Sequence, residues 1–168
     1  GFGADLGAEK FLDIKCRLAN LKPNCIVIVS TLRSLKYNSG QEKNSELKNG
    51  LQNLGVHIEN MKKFGIPVVV ALNYFDGDKQ EEIEKVKSFC LSKECEFSIS
   101  DSFSKGGSGA IDLAQKVCKL CEKKSDFYPI YSLNLSIKEK ILKIAKEIYR
   151  AEGVIYTAQA EKKIKEIE

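Results

Sequence analysis

Two short β-branched runs, Cys25–Val29 and Val68–Leu72, constrain the fold of this chain more than anything else in it. Continuous apolar runs of this length, bounded by turn residues, read as strands buried on both faces, the pattern of a parallel sheet. Between them, Leu47, Leu51, Leu54, Ile58 and Met61 recur at helical spacing and form one apolar face, with Glu59, Lys62 and Lys63 outside it. Ile83, Val86, Phe89 and Cys90 form the face of a second helix, and Glu96–Ser100 follows as a weaker third strand. The reading is α/β: parallel strands over 25–31, 67–73 and 96–100, joined by right-handed crossover helices over 42–63 and 79–92. Gly65 is placed to stop the first of these helices, and Pro67 sits at a strand start, where its missing N–H is tolerated. Further helical patterns run from Ile111 to Cys121, from Ile137 to Tyr149 and along the polar tail from Ala158.

With 168 residues, 43 % of them hydrophobic and 30 % charged, the chain can bury a core of one domain or somewhat more. Its longest apolar run, Ile66 to Leu72, is too short to span a bilayer, and no signal peptide is visible. The net charge of +4 is spread over interspersed Lys and Glu, without the concentrated basic block of a nucleic-acid binder. A polyanionic small substrate suits that mild bias. Cys90, Cys95, Cys118 and Cys121 match zinc spacing only loosely. Cys118 lies within an amphipathic run with Ile111, Leu113, Ala114 and Val117, so burial as a small hydrophobe is the expectation, with the cysteines reduced and no metal bound. His57, near the end of its helix and without a Ser or Cys partner at a telling spacing, reads as a helix-end histidine rather than a catalytic base.

In open α/β sheets, ligands bind beyond the carboxyl ends of the strands. Three exits therefore matter: Ser30-Thr31, Asn73-Tyr74-Phe75-Asp76 and Ser100-Asp101-Ser102-Phe103. Asn73 to Asp76 reads either as a ligand-reading turn or as an Asn-initiated turn capped by Asp. Phe75 and Phe103 are large apolar rings in otherwise polar turns. They stand either as two walls of a slot for a flat ring or as rings packed under their own loops. Arg33 and Lys36 follow the first strand as cations. Lys105-Gly106-Gly107-Ser108-Gly109 leads into a helix, a start of the kind that meets anions, but no G-x-x-x-x-G-K-[ST] phosphate loop occurs anywhere in the chain.

The chain opens without Met on Gly1-Phe2-Gly3-Ala4-Asp5-Leu6-Gly7-Ala8-Glu9-Lys10-Phe11, a glycine-rich loop running into a helix, so it is expected to begin inside a larger protein or after a removed tag. This string, followed by Asp13-Ile14-Lys15-Cys16-Arg17, resembles the formate–tetrahydrofolate ligase family. So does Val29-Ser30-Thr31-Leu32-Arg33-Ser34-Leu35-Lys36-Tyr37-Asn38-Ser39-Gly40, where the family reads Val-Ala-Thr-Ile/Val-Arg-Ala-Leu-Lys-x-His/Asn-Gly-Gly. Phe64 to Asn73, Lys105 to Gly109, Ser136 to Ile141 and Ile144 to Tyr149 continue the likeness in the family's order, over nearly the whole chain.

The resemblance implies a P-loop NTPase-like relative that lacks its own phosphate loop. Residues 1–63 would be the closing part of a nucleotide-binding domain and 64–168 a folate-binding middle domain. It implies a parent enzyme, cytoplasmic and homo-oligomeric, that joins formate to tetrahydrofolate with ATP and magnesium, through formyl phosphate, to give 10-formyltetrahydrofolate. Its partners would be small-molecule substrates, with no nucleic acid and no membrane. The piece itself would bind none of them tightly and would be inactive alone, and no catalytic residue is assigned, since the phosphate loop lies elsewhere. The pterin ring would lie between Phe75 and Phe103, where the family often has Trp at the second position, with Asp101 accepting from pterin N–H groups. Thr31, Arg33, Asn73, Gly106 and Gly107 are the candidate nucleotide or cleft residues. The substitutions Ser30, Ser34 and Ser39 and a short 36–47 connection keep an alternative open, a non-catalytic paralogue binding folate or a protein.

Overall fold

A computed structural model describes residues 4–38 and 47–168. The chain divides into two compact units, Lys22–Phe127 and the described residues of Gly1–Leu21 together with Tyr128–Glu168.

The Lys22–Phe127 unit holds the sheet. Strand β1 is Ile26–Ser30, helix α1 Leu32–Tyr37, α2 Leu47–Lys62, β2 Val68–Asn73, α3 Gln80–Ser92 and β3 Glu96–Ser100. A short α4, Ser102–Lys105, passes through a 3-10 turn at Gly106–Ala110 into α5, Ile111–Cys121. The strands lie in the order β1-β2-β3 and all pairs are parallel, Ile28 opposite Val70 and Ala71 opposite Ser98. The parallel α/β architecture expected from the two apolar runs is what forms, and the weaker run at 96–100 is its third strand. Residues 42–46 of the expected 42–63 helix, and Ser39, lie outside the described residues.

Central β2 is buried from Val68 through Leu72, so side chains on both faces of this strand are covered. The helices pack on it and its neighbours, α2 on β1 and β2, α3 on β3, and α5 on β2 and β3. Leu54, Ile58 and Met61 of α2 and Ile83, Val86 and Cys90 of α3 supply the buried faces the spacing announced. Edge strand β1 is treated differently, because Val29 stays 62 % exposed and Val27 is also exposed. Gly65 closes α2 at a left-handed φ of 71°, which favours glycine. Lys62 Nζ then donates to the carbonyls of Lys93 (2.6 Å) and Glu94 (3.0 Å), satisfying acceptors at the end of α3.

Helix α5 corrects one expectation. Its sequence carries two overlapping apolar stripes, and the sheet takes the one ending at buried Leu120, leaving Cys118 and Cys121 exposed. Polar tethers select that face. Buried Ser98 of β3 donates to Asp112 Oδ2 at 2.6 Å, and Lys116 Nζ reaches both that oxygen and the Phe97 carbonyl at 2.7 Å. Lys116 first, then Ser98, hold the Asp112 carboxyl below the usual range. All six cysteines are free thiols in the structure.

In the other unit, Ala4–Ala8 and Phe11–Cys16 form wide π-type helical turns that bury Leu12, Asp13 and Cys16. Helix α6, Ile137–Glu147, starts with a reciprocal capping box between Ser136 and Glu139, and α7, Ala158–Ile167, is capped by Thr157. Lys138 and Glu161 pair at 2.6 Å between these helices. No described helix is long and apolar enough to cross a membrane.

The burial pattern yields a stability test. Ile58→Ala removes a fully buried side chain and should lower the unfolding free energy by about 2–5 kcal/mol. Val29→Ala, on the open side of β1, should cost under about 1 kcal/mol. Urea denaturation of both variants reads the difference, and similar losses would mean that β1 is covered in solution.

Candidate functional site

Parallel pairing carries all three strand exits to one end of the sheet. At the first exit Thr31 is the N-cap of α1. Its Oγ1 accepts from the Ser34 N–H at 2.9 Å, and the Thr31 N–H donates to Ser34 Oγ at 3.1 Å. The visible work of Thr31 is therefore capping, shared with a serine that departs from the family's alanine. Lys36, the second cation expected here, is engaged by Glu82 at 2.7 Å. Arg33 stands exposed on α1, with its guanidinium carbon 4.8 Å from the centroid of the Phe75 ring. This is a cation–π contact between the first exit and the second.

The second exit is a tight turn after Asn73. Tyr74 N–H extends the ladder to the Ser100 carbonyl at 2.9 Å. Phe75 N–H then donates to Asp78 Oδ2 at 3.0 Å, and Asp78 N–H returns to the Phe75 carbonyl at 3.0 Å. Asp78, not Asp76, caps the turn. The side chain reaches back three residues to a backbone N–H, as the acidic member of a capping box does. The cap fixes the backbone beneath Phe75, whose ring is 38 % exposed.

The third exit is built by glycine. Asp101 N–H donates to the Gly109 carbonyl at 3.0 Å, and a Cβ on Gly109 would run into the Asp101 backbone carbonyl. Gly106 has φ 58° and ψ −142°, a conformation open essentially to glycine alone. The Lys-Gly-Gly-Ser-Gly run thus folds back on the end of β3 and turns Phe103 outward. Asp101 Oδ2 pairs with Lys105 at 2.9 Å, and its Oδ1 is hidden from solvent. The Lys105 ammonium, ahead of Ser104, holds this carboxyl below the usual range, so it is ionised at neutral pH. Phe103 is 98 % exposed, leaving both faces of its ring free.

The fold thus brings Arg33 onto Phe75 and places Asp101, Phe103, Gly106 and Gly107 in the adjoining exit. Asn73 pairs in register with Ser100 at the mouth between them. His57 lies on α2, away from these turns. Chemically the mouth offers aromatic faces, one carboxylate oriented by Lys105, and a guanidinium. Such a set is chemically suited to a flat, hydrogen-bond-donating ring that carries negative charge elsewhere. Among the described residues, no three His, Cys, Asp or Glu side chains gather in a way that could hold a metal ion.

The family model for formate–tetrahydrofolate ligase matches residues 1–168, the full length of the sequence, and the chain belongs to that family.

Proposed function

We propose that this chain supplies the tetrahydrofolate-binding part of a ligase that joins formate to tetrahydrofolate at the expense of ATP. Family membership supports the ligase role. The observation that carries the folate assignment is the mouth at the strand exits: Phe75 fixed by the Asp78 cap, Phe103 fully open, and the Asp101 carboxylate held by Lys105. In this reading the pterin ring stacks on the two phenyl rings, and Asp101 accepts from its N–H groups. The folate-binding turns lie in the Lys22–Phe127 unit, and no phosphate loop occurs in this sequence.

The reaction proceeds through formyl phosphate, whose carbonyl carbon is attacked by N10 of tetrahydrofolate with loss of phosphate. The residues present here bind and orient the amine. Holding both reactants in line supplies much of the rate of such a transfer. Arg33, Thr31, Asn73, Gly106 and Gly107 border the cleft through which the acyl phosphate meets the folate, and Arg33 is the cation best placed to meet its charge. ATP provides the phosphoryl group and magnesium neutralises its charge. The described acidic residues form no set fit for that ion, so no step is assigned to them.

Replacing Phe75 by Ala in the ligase should weaken tetrahydrofolate binding by about 1–3 kcal/mol, from lost burial and stacking. The Michaelis constants for ATP and formate should stay within about twofold. Equal losses for all three substrates would indicate misfolding, and unchanged folate affinity would return the ring to a packing role.

The 168-residue chain on its own should release no ADP above background with formate and tetrahydrofolate, because it has no phosphate loop. Turnover that survives rigorous purification would place the phosphoryl chemistry inside this sequence.

A further inference from the structure

Outside the strand exits, the unit of residues 4–21 and 128–168 holds an acid pair, Asp13 buried and Glu9 half-buried. Glu9, Asp13 and Arg17 stand four residues apart on one helical face, where neighbours touch. The Asp13 side chain is fully shielded from solvent. Its Oδ1 accepts the Ile130 N–H at 2.8 Å and lies 3.6 Å from the Arg17 guanidinium. Arg17 itself donates to the Tyr131 carbonyl at 2.6 Å and covers the Tyr131 ring at 4.8 Å. The 130–131 strap is therefore fastened to the N-terminal helix by one carboxylate and one guanidinium. Asp13 Oδ2, buried as well, has no donor among the neighbours that carry hydrogen at neutral pH.

An unsatisfied buried carboxylate oxygen is costly. The carboxyl group in contact with Asp13 is Glu9, and two adjacent carboxylates cannot both ionise cheaply. We infer that Glu9 and Asp13 share one proton, with Glu9 donating to Asp13 Oδ2, and that this shared proton clamps the 130–131 strap until rising pH removes it. Burial, then the hydrogen bond and repulsion from Asp13, push the Glu9 carboxyl up to about 7, so the proton leaves near physiological pH. Asp13 is raised too, chiefly by burial, against the opposing pull of Ile130 N–H, Glu9 and Arg17.

Other charges around the pair set its tuning. Lys10 lowers the Glu9 value, and Lys140 of α6 lines the same cavity of about 350 Å³ as Glu9, with Tyr131 and Tyr149 as its aromatic walls. Tyr149 donates to the Asp5 carbonyl at 3.3 Å. Burial first, and then neighbouring acids, raise both tyrosines above their ordinary range, so neither ionises where the pair titrates. The sign follows from the raised value. The stabilising contribution is complete below the unfolded carboxyl value near 4.5 and is lost as pH rises through about 7.

The test uses the full chain and its E9Q variant, in which a neutral amide keeps a donor facing Asp13. Carbon-13 carboxyl resonances of the wild type should show one carboxyl of the pair still protonated at pH 6 and titrating near pH 7. The wild-type unfolding constant should rise about tenfold or more between about pH 5 and 8, allowing for the partial exposure of Glu9. E9Q should lack that rise. Glu9 titrating as an ordinary carboxylic acid, or parallel pH dependence in both proteins, would overturn the inference. Should E9Q fail to fold, the wild-type titration decides alone.

Discussion

The parallel ladder on β2 is the interaction on which the rest of the structure depends. A strand buried from Val68 to Leu72 can satisfy its backbone only through neighbours on both sides, and the register to β1 and β3 provides them. Parallel pairing then dictates helical crossovers, and the sheet is covered by the crossover helices α2 and α3 together with α5, of which α2 and α5 pack on β2. It also sends Ser30, Asn73 and Ser100 to a common end. The candidate site is thus a consequence of strand direction, before any side chain in it is considered.

What shapes that end of the sheet is local and costly geometry. Gly109 permits a backbone approach to Asp101 that any side chain would block, and Gly106 takes up a conformation that other residues avoid. The result is an exposed ring and a carboxylate with one hidden oxygen. Asp78 does the same for Phe75 through a side-chain cap. The Arg33 guanidinium over Phe75 fits the same picture, since a flat cation on an aromatic face occupies the kind of surface a flat substrate ring would use.

The strands were legible because β-branched runs flanked by turn residues leave few alternatives, and α2 and α3 because each carries one apolar stripe. Helix α5 carries two, and hydropathy alone could not choose between the stripe ending at Leu120 and the one through Cys118. Ser98 and Asp112 make that choice through a hydrogen bond across elements. Phe75, Phe103 and Asp101 stood out as rings and a carboxylate in polar turns, whereas the cap from Asp78 was overlooked in favour of nearer Asp76. The Glu9–Asp13 pair was not legible at all. Its burial depends on Ile130, more than a hundred positions away in the chain, and no local pattern announces that contact.

The serine substitutions show how a departure from a family pattern is weighed physically. Ser34, where the family has alanine, donates to the Thr31 carbonyl at 2.9 Å, and its oxygen accepts from the Thr31 N–H. An alanine there would leave the threonine cap intact but remove its reciprocal half. The change therefore tightens the start of α1 without withdrawing a group from the strand exits. A tighter start fixes the helix that carries Arg33 over Phe75. Ser30, buried at the end of β1, likewise lies inside the ladder and not in the mouth. Both described substitutions act on the scaffold. Neither removes an aromatic face, the Asp101 acceptor or the guanidinium, so neither argues for a chain that has kept the fold and lost the site.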